Sequence, residues 1–196
     1  MAIKYSQACE NNKKPILEVL ARYLYKRKYL LEIGSGTGQH SEYFTLMMPW
    51  LIWQPSDVQE NIQGLTERVL AASLPNLSVP VVLDVWQKLW PLDQVDAVFS
   101  ANTAHIMDKS TVQHMFLKVG EILESDGLFC LYGPFNYGGH YTSDSNRIFD
   151  QQLKIKSSLM GIRHNEWIQQ LADDAGLSVC DDIAMPANNR LLIWKK

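Results

Sequence analysis

Cysteine is scarce in this chain. Its 196 residues include three, Cys9, Cys130 and Cys180, an odd number placed far apart and in no metal-ligand spacing. That excludes a disulfide framework and a cysteine-rich zinc module, and it reads as reduced thiols in a cytoplasmic protein. No apolar run reaches membrane-spanning length, and the opening MAIKYSQACENNKK has no signal-peptide core, so no membrane association is expected. Internal repeats and low-complexity tracts are missing as well. Nor does charge of one sign dominate: 18 Lys and Arg against 21 Asp and Glu leave a formal net charge of -3. Such a surface does not recruit nucleic acid by bulk charge, and the one basic cluster, Lys26-Arg27-Lys28, reads as a solvated connection between a helix and a strand. No nucleophilic triad and no metal site can be traced.

What is present is an ordinary globular mixture, 46% hydrophobic and 20% charged, enough for one domain over residues 1–196 with a sizeable core. Pro15 is expected to open a helix with Ile16, Val19, Leu20, Tyr23 and Leu24 on one face. Strands are expected over 29–33, 51–54, 79–83, 96–100 and 128–132, with a closing pair over 178–184 and 190–195 joined by MPANN. Helices fall between them, one marked by Ile62, Leu65, Val69 and Leu70 and one started by a Ser110/Gln113 capping box. Two more are expected near 146–156 and 166–175, and 133–145 reads as a polar loop. This alternation means an α/β fold, a largely parallel sheet between helical layers with an antiparallel C-terminal edge.

In such a sheet, ligands sit beyond the carboxyl ends of the strands. The polar residues that cluster there are the glycine turn LLEIGSGTGQH, then Asp57, Asp84, Asn102 with His105, and YGPF at 132–135. A dinucleotide fingerprint would need glycines at 34, 36 and 39, but position 39 is Gln39. The observed Gly34, Gly36 and Gly38, with Glu32 before them, instead look like the first motif of class I S-adenosylmethionine-dependent methyltransferases. Asp57 is placed to accept ribose hydroxyls, or alternatively to cap the next helix with Glu60, a task Ser56 and Gln59 could take over. Asp84 and Val85 would flank an adenine. Trp86 and Trp90 are either core or lid aromatics. His105 is either a general base for an O or N acceptor or a structural hydrogen bonder.

Beyond the superfamily, the chain resembles the methyltransferase-like 26 family almost end to end. The resemblance rests on ENNKKPIL at 10–17, LEIGSGTGQH, WQPSD at 53–57, LDV at 83–85, NTAHI at 102–106, YGPF, SDSNRIFD at 143–150, GIR at 161–163 and MPANN at 185–189. It implies a seven-stranded class I methyltransferase fold, Rossmann-like, with the last strand antiparallel, and S-adenosyl-L-methionine as cofactor. Cofactor contacts are expected at Glu32, Gly34, Ser35, Gly36, Gly38, His40, Asp57, Asp84, Val85 and Asn102. An acceptor wall is expected at Glu10, Asn12, Tyr132, Phe135, Ser145, Asn146, Asn188 and Asn189, with His105, Asn102 and Tyr132 as the catalytic candidates. The chain departs from the family pattern at Asn11, Lys14 and His164, where the usual residues are an arginine and two acids; if those charges orient an acceptor, this chain takes a different one.

The expected function is methyl transfer to a small-molecule acceptor, with residues 1–28 as a helical lid and 133–165 as an acceptor-side insertion. The alternative is a non-catalytic S-adenosylmethionine-binding module acting through a protein partner. A nicotinamide-dependent oxidoreductase is disfavoured by Gln39.

Overall fold

A computed structural model describes residues 5–196. The first four residues of the expected lid lie outside the described residues. The chain divides into two compact units, one up to Ser100 and one from Ala101 onward.

In the first unit, α1 (Gln7–Tyr23) starts at Ser6, whose hydroxyl accepts the Cys9 N–H at 3.3 Å. The helix begins earlier than the start expected at Pro15, which lies inside it. Its first turns are polar and carry no apolar period. Proline leaves the Asn11 carbonyl without its helical donor, and the buried Ile16, Val19 and Leu20 hold the helix beyond that gap. β1 (Tyr29–Ile33) begins where the Asp96 carboxylate accepts the N–H groups of Lys28 and Tyr29, at 2.7 and 2.9 Å. There follow α2 (Gln39–Met47), β2 (Ile52–Asp57), α3 (Gln59–Ala72), β3 (Val81–Val82) and β4 (Val95–Ala101). β2 runs through Pro55, past the end expected at Gln54. A proline is tolerated there because β3 pairs only with Ser56 and Asp57. β1 lies parallel to β2 and β4, with Glu32 opposite Pro55 on one side and Phe99 on the other. The rings of Phe44, Trp53 and Phe99 pack with centroids 5.5 to 5.8 Å apart at the centre of this unit.

The second unit opens with α4 (Lys109–Ile122). Its cap is Asp108, which accepts the Thr111 N–H at 2.8 Å; Ser110, expected to start a capping box, donates its hydroxyl to Asp108 instead. Then come β5 (Leu123–Gly133), β6 (Phe135–Asn136), α5 (Asp144–Lys156), β7 (Arg163–His164), α6 (Asn165–Asp174), β8 (Ser178–Met185) and β9 (Asn189–Lys195). The stretch expected as loop thus contains β6, which pairs in parallel with β7, a two-residue match too short for any sequence period. β9 is antiparallel to both β5 and β8, setting Gly133 opposite Arg190 and Met185 opposite Asn189. Phe116, Phe129 and Trp194 form the aromatic core of this unit. The main sheet has seven strands in the order β3-β2-β1-β4-β5-β9-β8, mostly parallel with the C-terminal strand reversed. Among the described residues no helix is long and apolar enough to cross a membrane.

Candidate active site

The glycine turn between β1 and α2 is built by left-handed backbone. Gly34, Gly36 and Gly38 have φ of 72°, 55° and 74°, a region that side-chain-bearing residues avoid. Their surroundings differ. A Cβ on Gly38 would lie 2.7 Å from Leu65 Cδ1, whereas one on Gly36 would meet nothing within 4 Å. Gly38 is therefore bare for packing, and Gly36 is bare toward open space. The Gly36 N–H donates to Asp57 Oδ2 at 2.6 Å, and Asp57 Oδ1 accepts from the Val58 N–H and the Asn61 amide at 2.8 and 2.9 Å. Neither Asp57 nor Ser56 caps α3: Val58 is its N-cap residue, and the Ser56 hydroxyl donates to the Glu32 carbonyl at 2.6 Å.

Glu32 lies beneath this turn. Only 2% exposed, its Oε2 accepts from the Ser35 hydroxyl and the Trp53 indole, both at 2.9 Å, and from the Ser41 hydroxyl. Burial pushes its carboxyl pKa up despite these three donors, and the nearby Asp57 charge adds to the rise. His40 is buried and stacked on Phe44 at 5.1 Å, with Nε2 at 2.7 Å from Asn12 Oδ1. Burial, with the Lys13 charge, lowers its pKa to about 4, so the neutral ring donates its Nε2–H to Asn12. Gln39, at the position of the missing glycine, accepts the Ser6 N–H at 2.5 Å and returns its amide to the Ser6 carbonyl at 3.3 Å. Glu10 pairs with Lys13 at 2.6 Å. Asp84 is exposed, its Oδ1 accepting the Trp86 N–H at 3.0 Å; Val85 is buried and accepts the Trp90 indole N–H at 3.3 Å. Trp90 is thus a core residue, and Trp86 is 54% exposed.

In the second unit, Asn102 is left-handed, with φ of 62°, and donates its N–H to the Tyr132 carbonyl at 2.8 Å. His105 is buried with its ring edge-on to Phe149 at 5.2 Å, and its carbonyl accepts the Gly161 N–H at 2.9 Å. Burial, with the Arg163 charge, lowers its pKa to about 4. Tyr132 and Phe135 are both buried. Asn146 donates its amide to Thr142 Oγ1 at 2.8 Å and to the Asn188 carbonyl at 3.1 Å, while the Asn188 amide reaches Ser145 Oγ at 3.4 Å. Asn189 donates to the carbonyls of its own turn, Pro186 and Ala187. The acceptor candidates Ser145, Asn146 and Asn188 therefore meet, although more than forty residues separate them.

Several residues outside the sequence-derived set shape these surroundings. Ser41 and Trp53 fix Glu32. Arg163, 5% exposed, donates Nε to the Ala104 carbonyl at 3.0 Å and Nη2 to the carbonyls of Met107 and Leu159, bracing the loop that carries His105. Asp150 receives the Tyr141 hydroxyl, the Ile162 N–H and the Lys154 ammonium, which together outweigh its burial and hold its carboxyl low. Tyr137 and Arg190 both donate to Asp182, at 2.9 and 2.6 Å. Arg163 and Asp150 stand inside the GIR and SDSNRIFD stretches, so their positions carried a signal. Trp53 likewise opens the WQPSD stretch, whereas Ser41 and the Tyr137–Asp182–Arg190 contacts carried no signal, because packing between elements leaves no local period.

Solved structures of methyltransferases share this fold. An O-methyltransferase family protein from Burkholderia thailandensis superposes with a TM-score of 0.81 at 14% identity, over 94% of this chain and 56% of that one. An O-methyltransferase family 2 protein from Planctomyces limnophilus, in complex with apigenin, gives 0.81 at 16% identity, over 95% and 56%. Human N-acetylserotonin methyltransferase, in complex with S-adenosylmethionine, gives 0.73 at 12%, over 94% and 54%. The chain thus spans just over half the length of each, and at these identities the likeness is one of fold. By sequence, residues 3–196 match the family described as "Protein of unknown function (DUF938)", and the chain belongs to that family.

Proposed function

We propose that this chain is an S-adenosylmethionine-dependent methyltransferase acting on an oxygen of a small-molecule acceptor. The observation that carries the reading is Gly36: a left-handed residue facing open space, whose N–H is anchored on the carboxylate at the end of the next strand. The O-methyltransferase folds and the resemblance to the methyltransferase-like 26 family support it.

When bound, the cofactor supplies an electrophilic methyl group on a sulfonium. Asp57 would accept the ribose hydroxyls: Oδ2 holds one protein donor and keeps a lone pair for another. The exposed Asp84 carboxylate and the Val85 backbone would bound the adenine. Glu32 would act indirectly, because its engaged Oε2 sets Ser35 and, through Trp53 and Ser41, the path of the turn. The Gly34 to Gly38 backbone would lie against the amino-acid tail.

In the second unit, Asn102, Tyr132 and His105 would contact the acceptor. A neutral histidine with a pKa near 4 is a weak base. It suits His105 to orient an acceptor hydroxyl by accepting its hydrogen bond, taking the proton only as the oxygen loses its electron density to the methyl. Calorimetry with S-adenosylmethionine, S-adenosylhomocysteine and NADH tests the reading: binding of the first two and not the third is expected, and NADH binding alone overturns it. A screen of metabolite extracts with labelled cofactor then reads which species gains the methyl.

A further inference from the structure

Where β1 and β2 begin, the first unit leaves a group of large apolar side chains in solvent: Tyr25, Leu46, Met47, Trp50 and Ile52 are between 44% and 60% exposed. Single exposed apolar residues are ordinary, but these are drawn together. The Leu24 carbonyl, just past α1, accepts both the Arg27 N–H and the Trp50 indole N–H, each at 3.0 Å. The Ile52 N–H donates to the Lys28 carbonyl at 2.9 Å. Leu46 and Met47 end α2, one tight turn ahead of Trp50. The Asn76 side-chain amide reaches the carbonyls of Thr45, Met48 and Leu51, at 3.1, 3.2 and 2.9 Å, so this turn is fixed before anything meets it. The glycine turn follows the other end of β1 and stays free.

The rim of this face is cationic. Lys26 and Lys28 are exposed and Arg27 is partly so, and among the described residues none of the three forms an ion pair. The Lys26 ammonium lies 5.3 Å from the Tyr25 ring centroid, and Arg27 Nε is buried without a hydrogen-bond partner. Asp96 touches this turn, but both its oxygens accept backbone N–H groups, those of Lys28 and Tyr29. The face thus joins Trp, Tyr, Met and Arg, the residue types that anchor protein contacts, to an unmatched positive edge. A second copy meeting the same face would set two cationic turns against each other. Lipid headgroups are gripped by clusters of about four to eight cations, more than Lys26, Arg27 and Lys28 supply, and the Trp50 indole is tied to Leu24 rather than free to insert. An acidic protein segment with a large apolar side chain matches both the charge and the apolar centre.

We infer that this face is a docking surface for an acidic protein segment that presents a large apolar side chain. The probe is a phage-displayed library of random peptides panned on the full chain, its enriched clones remade as labelled peptides. These are expected to carry net negative charge and at least one aromatic or large aliphatic residue, and to bind more weakly as salt rises. The amide shifts they cause are expected at residues 25–28 and 46–52. Leu46→Asp, and Lys26→Glu combined with Lys28→Glu, all at exposed positions, are each expected to weaken binding at least about tenfold. Both variants should melt with the wild type and leave calorimetry with S-adenosylhomocysteine unchanged. Neutral or basic clones, shifts confined to another surface, or binding that neither variant changes overturns the inference, as does a library that yields no binder. Vesicles of phosphatidylcholine with phosphatidylserine, and sedimentation velocity across a concentration series, test the other occupants. Vesicle binding or dimerisation that Leu46→Asp abolishes reassigns the face to lipid or to a second copy, and overturns the inference likewise.

Discussion

The N–H of Gly36 and the Asp57 carboxylate, 2.6 Å apart, join the glycine turn to the end of the neighbouring strand. One bond therefore fixes two things: the backbone that would approach a cofactor, and the oxygen that would accept its ribose. Because Asp57 also holds the Val58 N–H and Asn61, its orientation is set before any ligand arrives, which lowers the ordering cost of binding.

Asp57→Ala should weaken S-adenosylmethionine binding by about 1–3 kcal/mol, the range for leaving polar groups of a ligand unpaired. Asp57→Asn should lose less, since its amide oxygen can still accept the Gly36 N–H. Calorimetry on the two variants checks the order. Equal affinity of Asp57→Ala and wild type would remove Asp57 from the ribose site.

Two glycines in one turn should respond differently to the same added methyl. At Gly38 a Cβ would strike Leu65 and Arg68, at 2.7 and 3.0 Å, in a left-handed backbone, so Gly38→Ala should cost about 2–4 kcal/mol in urea denaturation. At Gly36 the space is open, and Gly36→Ala should cost only the backbone strain, about 1 kcal/mol. The cofactor affinity of Gly36→Ala should nevertheless fall, because the methyl projects where a ligand would lie. Stability and affinity measured side by side on the pair decide this.

Much of the fold was legible from residues alone. The run Tyr29 to Ile33 followed by three glycines marked β1 and its turn, and the reversed C-terminal strand was legible as a closing pair of strands with a short polar link. The start of α1 was not, because Gln7 to Lys14 are polar and the helix there depends on Ser6 and on Gln39, thirty-three residues away from it. Glu32 was legible as a residue of the turn but not as a buried acid with three donors, since Ser41 and Trp53 reach it only once α2 and β2 have packed. On the second unit, SDSNR and MPANN stood out as stretches that cofactor binding did not account for. That they meet at Asn146 and Asn188 follows from the β8–β9 turn and from α5, which no local pattern couples.

Stability should fall in acid through His40 and His105. Each is near 4 in the folded protein against an ordinary 6.5, so the unfolded chain binds the extra proton first. Their stabilisation is complete above about pH 6.5 and is lost as pH falls through about 4, on the order of 3 kcal/mol for each ring. Glu32 acts in the opposite sense: its raised pKa is a penalty at neutral pH that protonation relieves. Urea denaturation of wild type and Glu32→Gln between pH 7.5 and 4.5 should therefore show a steeper acid loss in the variant, which retains only the histidine trend. A flat profile in Glu32→Gln would contradict buried, neutral histidines.

Arg163 should be a positioning residue for the loop that carries His105. Its guanidinium bridges the carbonyls of Ala104, Met107 and Leu159 and forms no ion pair within the salt-bridge distance among the described residues. A lysine there keeps the charge but lacks the planar fork that reaches three oxygens. Arg163→Lys should speed amide hydrogen exchange at residues 104–108 while leaving the His105 imidazole neutral at pH 6. Arg163→Met should do both, loosening the loop and raising the His105 pKa toward its ordinary value, because the cation that opposes protonation is gone. Exchange spectra and imidazole titrations by NMR separate bracing from charge, and cofactor affinity should stay unchanged in both variants. Unaltered exchange in Arg163→Lys would mean that the Gly161 N–H on the His105 carbonyl holds the loop without the guanidinium.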